Sequence, residues 1–452
     1  MFALIALAIG TLSGPSLVPR GVVLSGIWPA ATLAGVLAVL IVHWLRQRRP
    51  WPLAIGAGLM ASIIAGVLVV PGASLPGLLR MVGLADRALV PGIWIIAITV
   101  AIVGALAIAG GLRPSPIAVL AAAAAALMAT TDVATVARGI DRADALRDLH
   151  LYLNAGESLR AGLQVYRTVP MTEILVDQTL YPFLYPPPVL ALFAGLSTLP
   201  WAVVGTLWIG AGIVAGAISS RLLGVAAVWV PIFLLWPPFF EGIWAGNVAV
   251  PGLLILAAAV ASRAASSGLV LGPLLKLQAG IPALWLLRER RWRQLAVGTF
   301  LVVIICVATL PIVGFASWFE WVAGLRAFQQ SQANLPALYS FALPQVVPYV
   351  AYIVIAAGAL AWAVRVGGIN GLRRLSIAAV IVSPSLYRHG LLSLLPGLVA
   401  LPAEIVWLVL GSTATFYGIW IAIGATALAV TFLRAAPDPA VAGHAASGVP
   451  FG

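Results

Sequence analysis

Apolar runs close to the ~20 residues that a helix needs to cross a bilayer recur along this chain from Phe2 to Leu433. A soluble domain could not bury so many of them in one core, whereas lipid solvates apolar surface, provided each segment satisfies its own backbone as a helix. With 62% hydrophobic and only 8% charged residues, and a mean hydropathy of +1.09, too little polar surface remains to coat a water-soluble protein. The reading is an all-α, polytopic integral membrane protein of about 12–15 transmembrane helices, located in a cell membrane. Phe2 to Leu17 carries no basic n-region and no convincing cleavage site, so it reads as a retained first span. The one cysteine, Cys306, lies inside an apolar run, which excludes an intrachain disulfide and argues against a thiolate metal site. The net charge of +12 does not point to nucleic acid, because the arginines fall in short clusters between apolar runs.

Those clusters orient the chain. Arg46 to Arg49, Arg288 to Arg293 and Arg365 to Arg374 each flank apolar runs, and the positive-inside rule assigns all three to the cytoplasm. Counting spans near 52–70, 91–112 and 116–137 from the first cluster places the polar segment from Arg138 outside, after the fifth span. Five more, near 188–200, 201–221, 223–240, 246–262 and 268–287, return the chain to the second cluster. Spans near 294–313 and 346–364 bracket an outer loop, 315–345, and lead to the third cluster; the next, near 375–386, exits at Ser383 to Gly390. Leu391 to Leu433 holds one to three further spans. The resulting division is N-terminal spans in 1–137, an extracytoplasmic loop over 138–187, a transmembrane core over 188–434 and a disordered tail over 435–452. Prolines at 186–188 and 237–238 should end or kink helices, and Ala73 to Val90 and Ser317 to Gln330 read as amphipathic helices lying in the interface.

Seven of the thirteen acids lie between Asp132 and Asp177, which makes the outer loop the place to look for chemistry. Asp148, just beyond a span, is placed at the membrane boundary where a carboxylate can act as a general base. Asp132, Asp141, Asp144, Glu157, Glu173 and Asp177 read as solvated loop acids. Lys276 is the single lysine and sits within an apolar run; such an ammonium either snorkels to the interface or meets an anion such as a lipid phosphate. His389, beside Arg388 in a brief polar corner, can donate to a phosphate or shuttle a proton. No His/Asp/Glu set has metal-ligand spacing.

The ordered set Asp148-Leu149-His150-Leu151-Tyr152, Gly162 to Tyr166, Tyr185-Pro186-Pro187, Leu199-Pro200, Gly246-Asn247, Lys276-Leu277-Gln278 and Ser383 to His389 resembles glycosyltransferase family 87, polyprenyl-phosphate-dependent mannosyltransferases of the GT-C superfamily. Asn247 stands where that family usually has glutamine, Gln278-Ala279 lacks its proline, and Tyr387-Arg388 replaces its Trp-Asp. The resemblance implies an inverting transfer of a sugar, most often mannose, from a polyprenyl phosphate to a glycolipid or glycan hydroxyl on the extracytoplasmic face of a bacterial membrane. It implies Asp148 as base, Lys276, His389 and Arg388 at the donor phosphate, and Tyr152, Tyr166, Tyr185, Asn247 and Gln278 as substrate-binding residues. It calls for no metal or cofactor beyond the lipid-linked donor, and the implied partners are membrane lipid, donor and acceptor. The competing reading is a transporter or lipid-linked sugar flippase, since polytopic proteins with proline-broken helices and sparse membrane charges often move solutes.

Overall fold

The structure, a computed structural model, describes residues 146–166, 173, 181–332 except 228, 340–413 and 418–433, together with Ala124, Met128 and Asp132. Apart from those last three residues, the spans expected within 1–137 lie outside the described residues, as do the acids Asp141, Asp144 and Asp177 and the tail 435–452.

Among the described residues every regular element is a helix. The principal ones are α1 (Arg147–Arg160), α2 (Pro187–Leu196), α3 (Trp201–Leu222), α4 (Pro237–Trp244), α5 (Ala249–Ala261), α6 (Trp292–Val313), α7 (Ala316–Gln332), α8 (Tyr349–Val364), α9 (Gly368–Ile381), α10 (Ala403–Ser412) and α11 (Gly418–Phe432). Two of these, α3 and α6, are 22 residues long and apolar enough to cross a membrane. At 1.5 Å per residue each reaches about 33 Å, the thickness of a hydrocarbon core. Outward-facing Phe300, Val303, Ile304 and Val307 on α6 form an apolar stripe suited to lipid.

Several segments expected as single spans are instead broken. Residues 223–240 give a short helix, Val230–Leu234, and then α4, whose first turn begins with Pro237-Pro238, where the missing amide donors cost nothing. The 188–200 segment is helical only over α2. The 268–287 segment breaks at Lys276, whose extended backbone (φ −161°, ψ 129°) separates the turn Gly272–Leu275 from the 3₁₀ helix Leu277–Ala283. The helix expected near 375–386 starts earlier, at Gly368, so Arg373 and Arg374 lie within α9. Hydropathy reports how much apolar chain there is, and not whether its backbone runs straight through; prolines and close backbone contacts decide the second point.

The second and third basic clusters meet. Arg288 Nε donates to the Val364 carbonyl at 3.1 Å, and the Gly368 amide donates to Glu289 Oε1 at 2.9 Å. The two clusters therefore lie side by side in the fold. Elsewhere α1 packs on α2, α3 on α5, and α9 on both the 277–283 segment and the 3₁₀ turn Arg388–Leu394, which also packs on α4. These packings bring Asp148, Glu241, Lys276 and His389 into one neighbourhood.

Candidate active site

Asp148 lies in the first turn of α1, where the helix dipole favours a negative charge. The start of α1 is fastened to the turn after α4: the amides of Leu146 and Asp148 donate to the carbonyls of Trp244 and Ala245, each at 2.8 Å. Leu146 itself is held at φ 55°, a left-handed conformation that costs a branched residue energy and that the surrounding contacts enforce. Gly246 (φ +72°) lets the two segments touch, since a Cβ there would stand 2.7 Å from Leu149 Cβ.

The Asp148 carboxylate is held on two sides. Asn247 Nδ2 donates to Oδ2 at 2.6 Å, and Arg147 Nε lies 3.4 Å from Oδ1. Asn247 Oδ1 accepts from the Ala249 amide at 2.8 Å, while Nδ2 also lies 3.2 Å from the Tyr152 hydroxyl and 3.4 Å from that of Tyr185. The two phenols are themselves hydrogen-bonded at 2.7 Å. Tyr181 and Tyr387 form a second hydrogen-bonded phenol pair nearby. Burial pushes the phenols of Tyr152, Tyr181, Tyr185 and Tyr387 above their ordinary range, so all four remain neutral hydrogen-bonding groups.

These residues line a cavity of about 740 Å³, within the ~300–1,000 Å³ common for ligand sites. Asp148, Tyr152, Tyr185, Asn247, Lys276, Gln278, Arg388 and His389 all face it, joined by Trp321, Leu325 and Phe328 of α7. The outer-loop helix, the Asp148 helix and the Ser383 to His389 corner thus build one wall each. Tyr166 is set back, donating from its hydroxyl to the Tyr185 carbonyl at 3.1 Å and supporting the wall from behind. His150 points elsewhere, stacked on Trp201 with ring centroids 3.6 Å apart.

Three groups carry more than the sequence assigns them. Glu241, on α4, places Oε1 3.4 Å from Arg147 and Oε2 4.0 Å from Arg388, so opposite charges alternate along the wall from Asp148 to Arg388. A lone acid in the apolar run 230–244 carries the same signal that drew attention to Lys276. Arg147 is the second. The third, Asp132, was expected as a solvated loop acid and is instead buried, with neither carboxylate oxygen hydrogen-bonded; Glu157 and Glu173 are exposed as expected. Composition places Asp132 at the end of an apolar segment, and only the packing shows on which side of that end it falls.

Electrostatically the cavity carries three cations, Arg147, Lys276 and Arg388, against two carboxylates. Burial, reinforced by the charges of Lys276 and Arg147, holds the His389 imidazole well below its usual range, so it is neutral near pH 7. Its Nδ1 is buried without a hydrogen-bond partner. His389 is therefore a neutral hydrogen-bonding group rather than a further cation for a phosphate, and positive charge in this corner comes from Lys276 and Arg388.

Fold and site together define a protein that is all-helical in its described residues, with membrane-length apolar helices and a cavity combining a carboxylate with clustered cations. Residues 183–386 match the family model described as Glycosyltransferase family 87, so the resemblance read from the motifs holds over that segment. The segment contains Tyr185, Asn247, Lys276 and Gln278 and stops short of Asp148 and His389. A curated relative from Mycolicibacterium smegmatis, named a polyprenol-phosphate-mannose-dependent alpha-(1-2)-phosphatidylinositol pentamannoside mannosyltransferase, is 31% identical over 166 residues. The aligned region is 33% of this chain, and the chain spans 39% of that relative's length. No solved structure matches.

Proposed function

We propose that this protein is an inverting glycosyltransferase that moves a sugar, mannose by analogy with its relative, from a polyprenyl-phosphate donor to an acceptor hydroxyl at the extracytoplasmic membrane face. The observation that carries the reading is that Asp148, Lys276, Arg388 and His389, spread across the sequence, face one cavity. In the reaction the acceptor oxygen attacks the anomeric carbon from the side opposite the phosphate, the carbon–oxygen bond to phosphate breaks, and Asp148 takes the hydroxyl proton. Polyprenyl phosphate leaves with the bonding electron pair. Lys276 and Arg388 offset the charge that accumulates on it, and His389 donates a hydrogen bond. Gln278 and the phenols facing the cavity contact the sugar.

The apolar part of the lining, Leu275, Leu277, Ile281, Leu325 and Phe328, suits the first isoprene units of a donor. On the opposite side of α7 Phe319 is exposed, as is Phe315 just ahead of the helix, so this helix separates cavity from surrounding lipid, in keeping with its amphipathic sequence. A glycolipid or glycan acceptor would enter the same cavity from the water side.

The test is transfer of mannose from a short-chain polyprenyl-phosphate mannose, measured with the full-length protein in membranes. Asp148→Asn should lower the rate by about 10²–10⁴-fold, the usual worth of a general base, with normal protein levels. Lys276→Met should lower it by about 10²–10³-fold. Wild-type rates in Asp148→Asn would remove the base assignment, and transfer by neither wild type nor variants would remove the donor class.

A further inference from the structure

Asn247 was expected to bind substrate, yet its amide is already committed inside the protein. Oδ1 accepts from the Ala249 amide, which fixes the amide's orientation and turns Nδ2 toward Asp148 Oδ2, 2.6 Å away. The remaining Nδ2 hydrogen falls among the Tyr152 and Tyr185 hydroxyls. Asn247 is 5% exposed, and the backbone beneath it is fastened by the Gly246 turn, whose carbonyl accepts from Trp208 Nε1 at 2.9 Å.

The geometry points to Asn247 as the positioning residue of the base: it occupies Oδ2 of Asp148, stabilises the ionised carboxylate, and leaves Oδ1, which has Arg147 Nε on one side at 3.4 Å, as the oxygen that receives the acceptor's proton. This rests on Asp148 being the base. The side chain suits the task because an amide offers a donor of fixed direction that cannot itself take up the proton. A hydrogen bond to a charged acceptor is among the stronger ones available, and two neutral phenols complete the shell without adding charge. The other groups acting on Asp148 are Arg147 on its own helix, Lys276 across the cavity, and the Tyr181 and Tyr387 phenols, with Glu241 acting on Arg147. None of them contacts Oδ2 as Asn247 does.

The experiment compares Asn247→Ala, Asn247→Asp and Asn247→Gln with wild type and Asp148→Asn. Two readouts are used: mannose transfer as a function of pH, and labelling of Asp148 by dicyclohexylcarbodiimide, which reacts with protonated carboxyl groups, followed by mass spectrometry. Losing the hydrogen bond should lower kcat by about ten- to hundredfold with little change in KM. It should also move the acid limb of the rate profile and the midpoint of labelling to higher pH. Asn247→Asp is nearly isosteric and sets a second carboxyl against the first, so it should move both further in the same direction. Asn247→Gln, which keeps the donor, should recover part of the rate.

A raised KM with unmoved profiles would make Asn247 a substrate contact and overturn the inference. So would unchanged labelling in Asn247→Asp, a result independent of any assumed substrate. Full activity in Asp148→Asn would overturn the base assignment instead, and this inference with it, and is recognisable because it involves no change at Asn247.

Discussion

Replacing Gly246 with alanine puts one carbon atom where α1 meets the turn that holds the candidate base. Two costs follow from the structure. The residue sits at φ +72°, where an L side chain costs about 1–2 kcal/mol. The new Cβ would also stand 2.7 Å from Leu149 Cβ and 3.3 Å from the Leu149 amide nitrogen; neither is the far end of a flexible side chain, so the helix start must move, at about 1–3 kcal/mol. Together these give about 2–5 kcal/mol of destabilisation. The movement displaces Asp148 relative to Asn247 and the cavity, and a shift on the order of 1 Å can cost about a hundredfold in rate. Gly162 is the matched control: it has φ +70° but open space around it, so Gly162→Ala carries only the backbone cost. Thermal unfolding of the purified protein in detergent, with mannose transfer measured in parallel, separates the cases. Gly246→Ala should unfold several degrees below Gly162→Ala and lose far more activity. Equal midpoints and equal rates for the two variants would refute the claim that close backbone approach at Gly246 sets the position of Asp148.

Two further outcomes follow from the same geometry. His389 has a folded-state value below its ordinary 6.5, so between the two values the unfolded chain binds more protons and stability rises with pH. Its contribution is present above about pH 6.5 and is lost as pH falls below that; the unfolding midpoint should therefore drop on acidification less steeply in His389→Gln than in wild type, and identical slopes would contradict a buried neutral imidazole. At the break near Lys276, a Cβ on Gly272 would lie 2.2 Å from the Ala279 carbonyl oxygen. Gly272→Ala should therefore strongly reduce the yield of folded protein, whereas Gly210→Ala, with nothing within 4 Å, should leave yield and melting unchanged.

How much of the site could be read beforehand differs by residue. Asp148, Lys276 and His389 stood out because charge and imidazole are costly in apolar surroundings and therefore conspicuous there. Glu241 bears the same mark, and its importance lies in reaching both Arg147 and Arg388. Tyr166 and Asn247 were singled out by motif, yet no motif states whether a polar group faces a cavity or a neighbouring side chain. Tyr166 turned out to support Tyr185, and Asn247 to grip Asp148. The helix start at Pro237 is legible from its prolines, whereas the break at Lys276, where extended backbone interrupts an apolar run, carries no such local mark.

Taken alone, the sequence pointed to helices and to apolar segments long enough for lipid, and the described residues are helical, since both depend on local hydropathy and on each backbone having to satisfy itself in lipid. It also marked which polar groups were out of place. What the tertiary structure decided was convergence. Asp148 and Asn247 are 99 positions apart and Asp148 and Glu241 belong to different helices, yet they share a wall. Contacts of that range depend on how helices cross, which no local pattern of residues encodes.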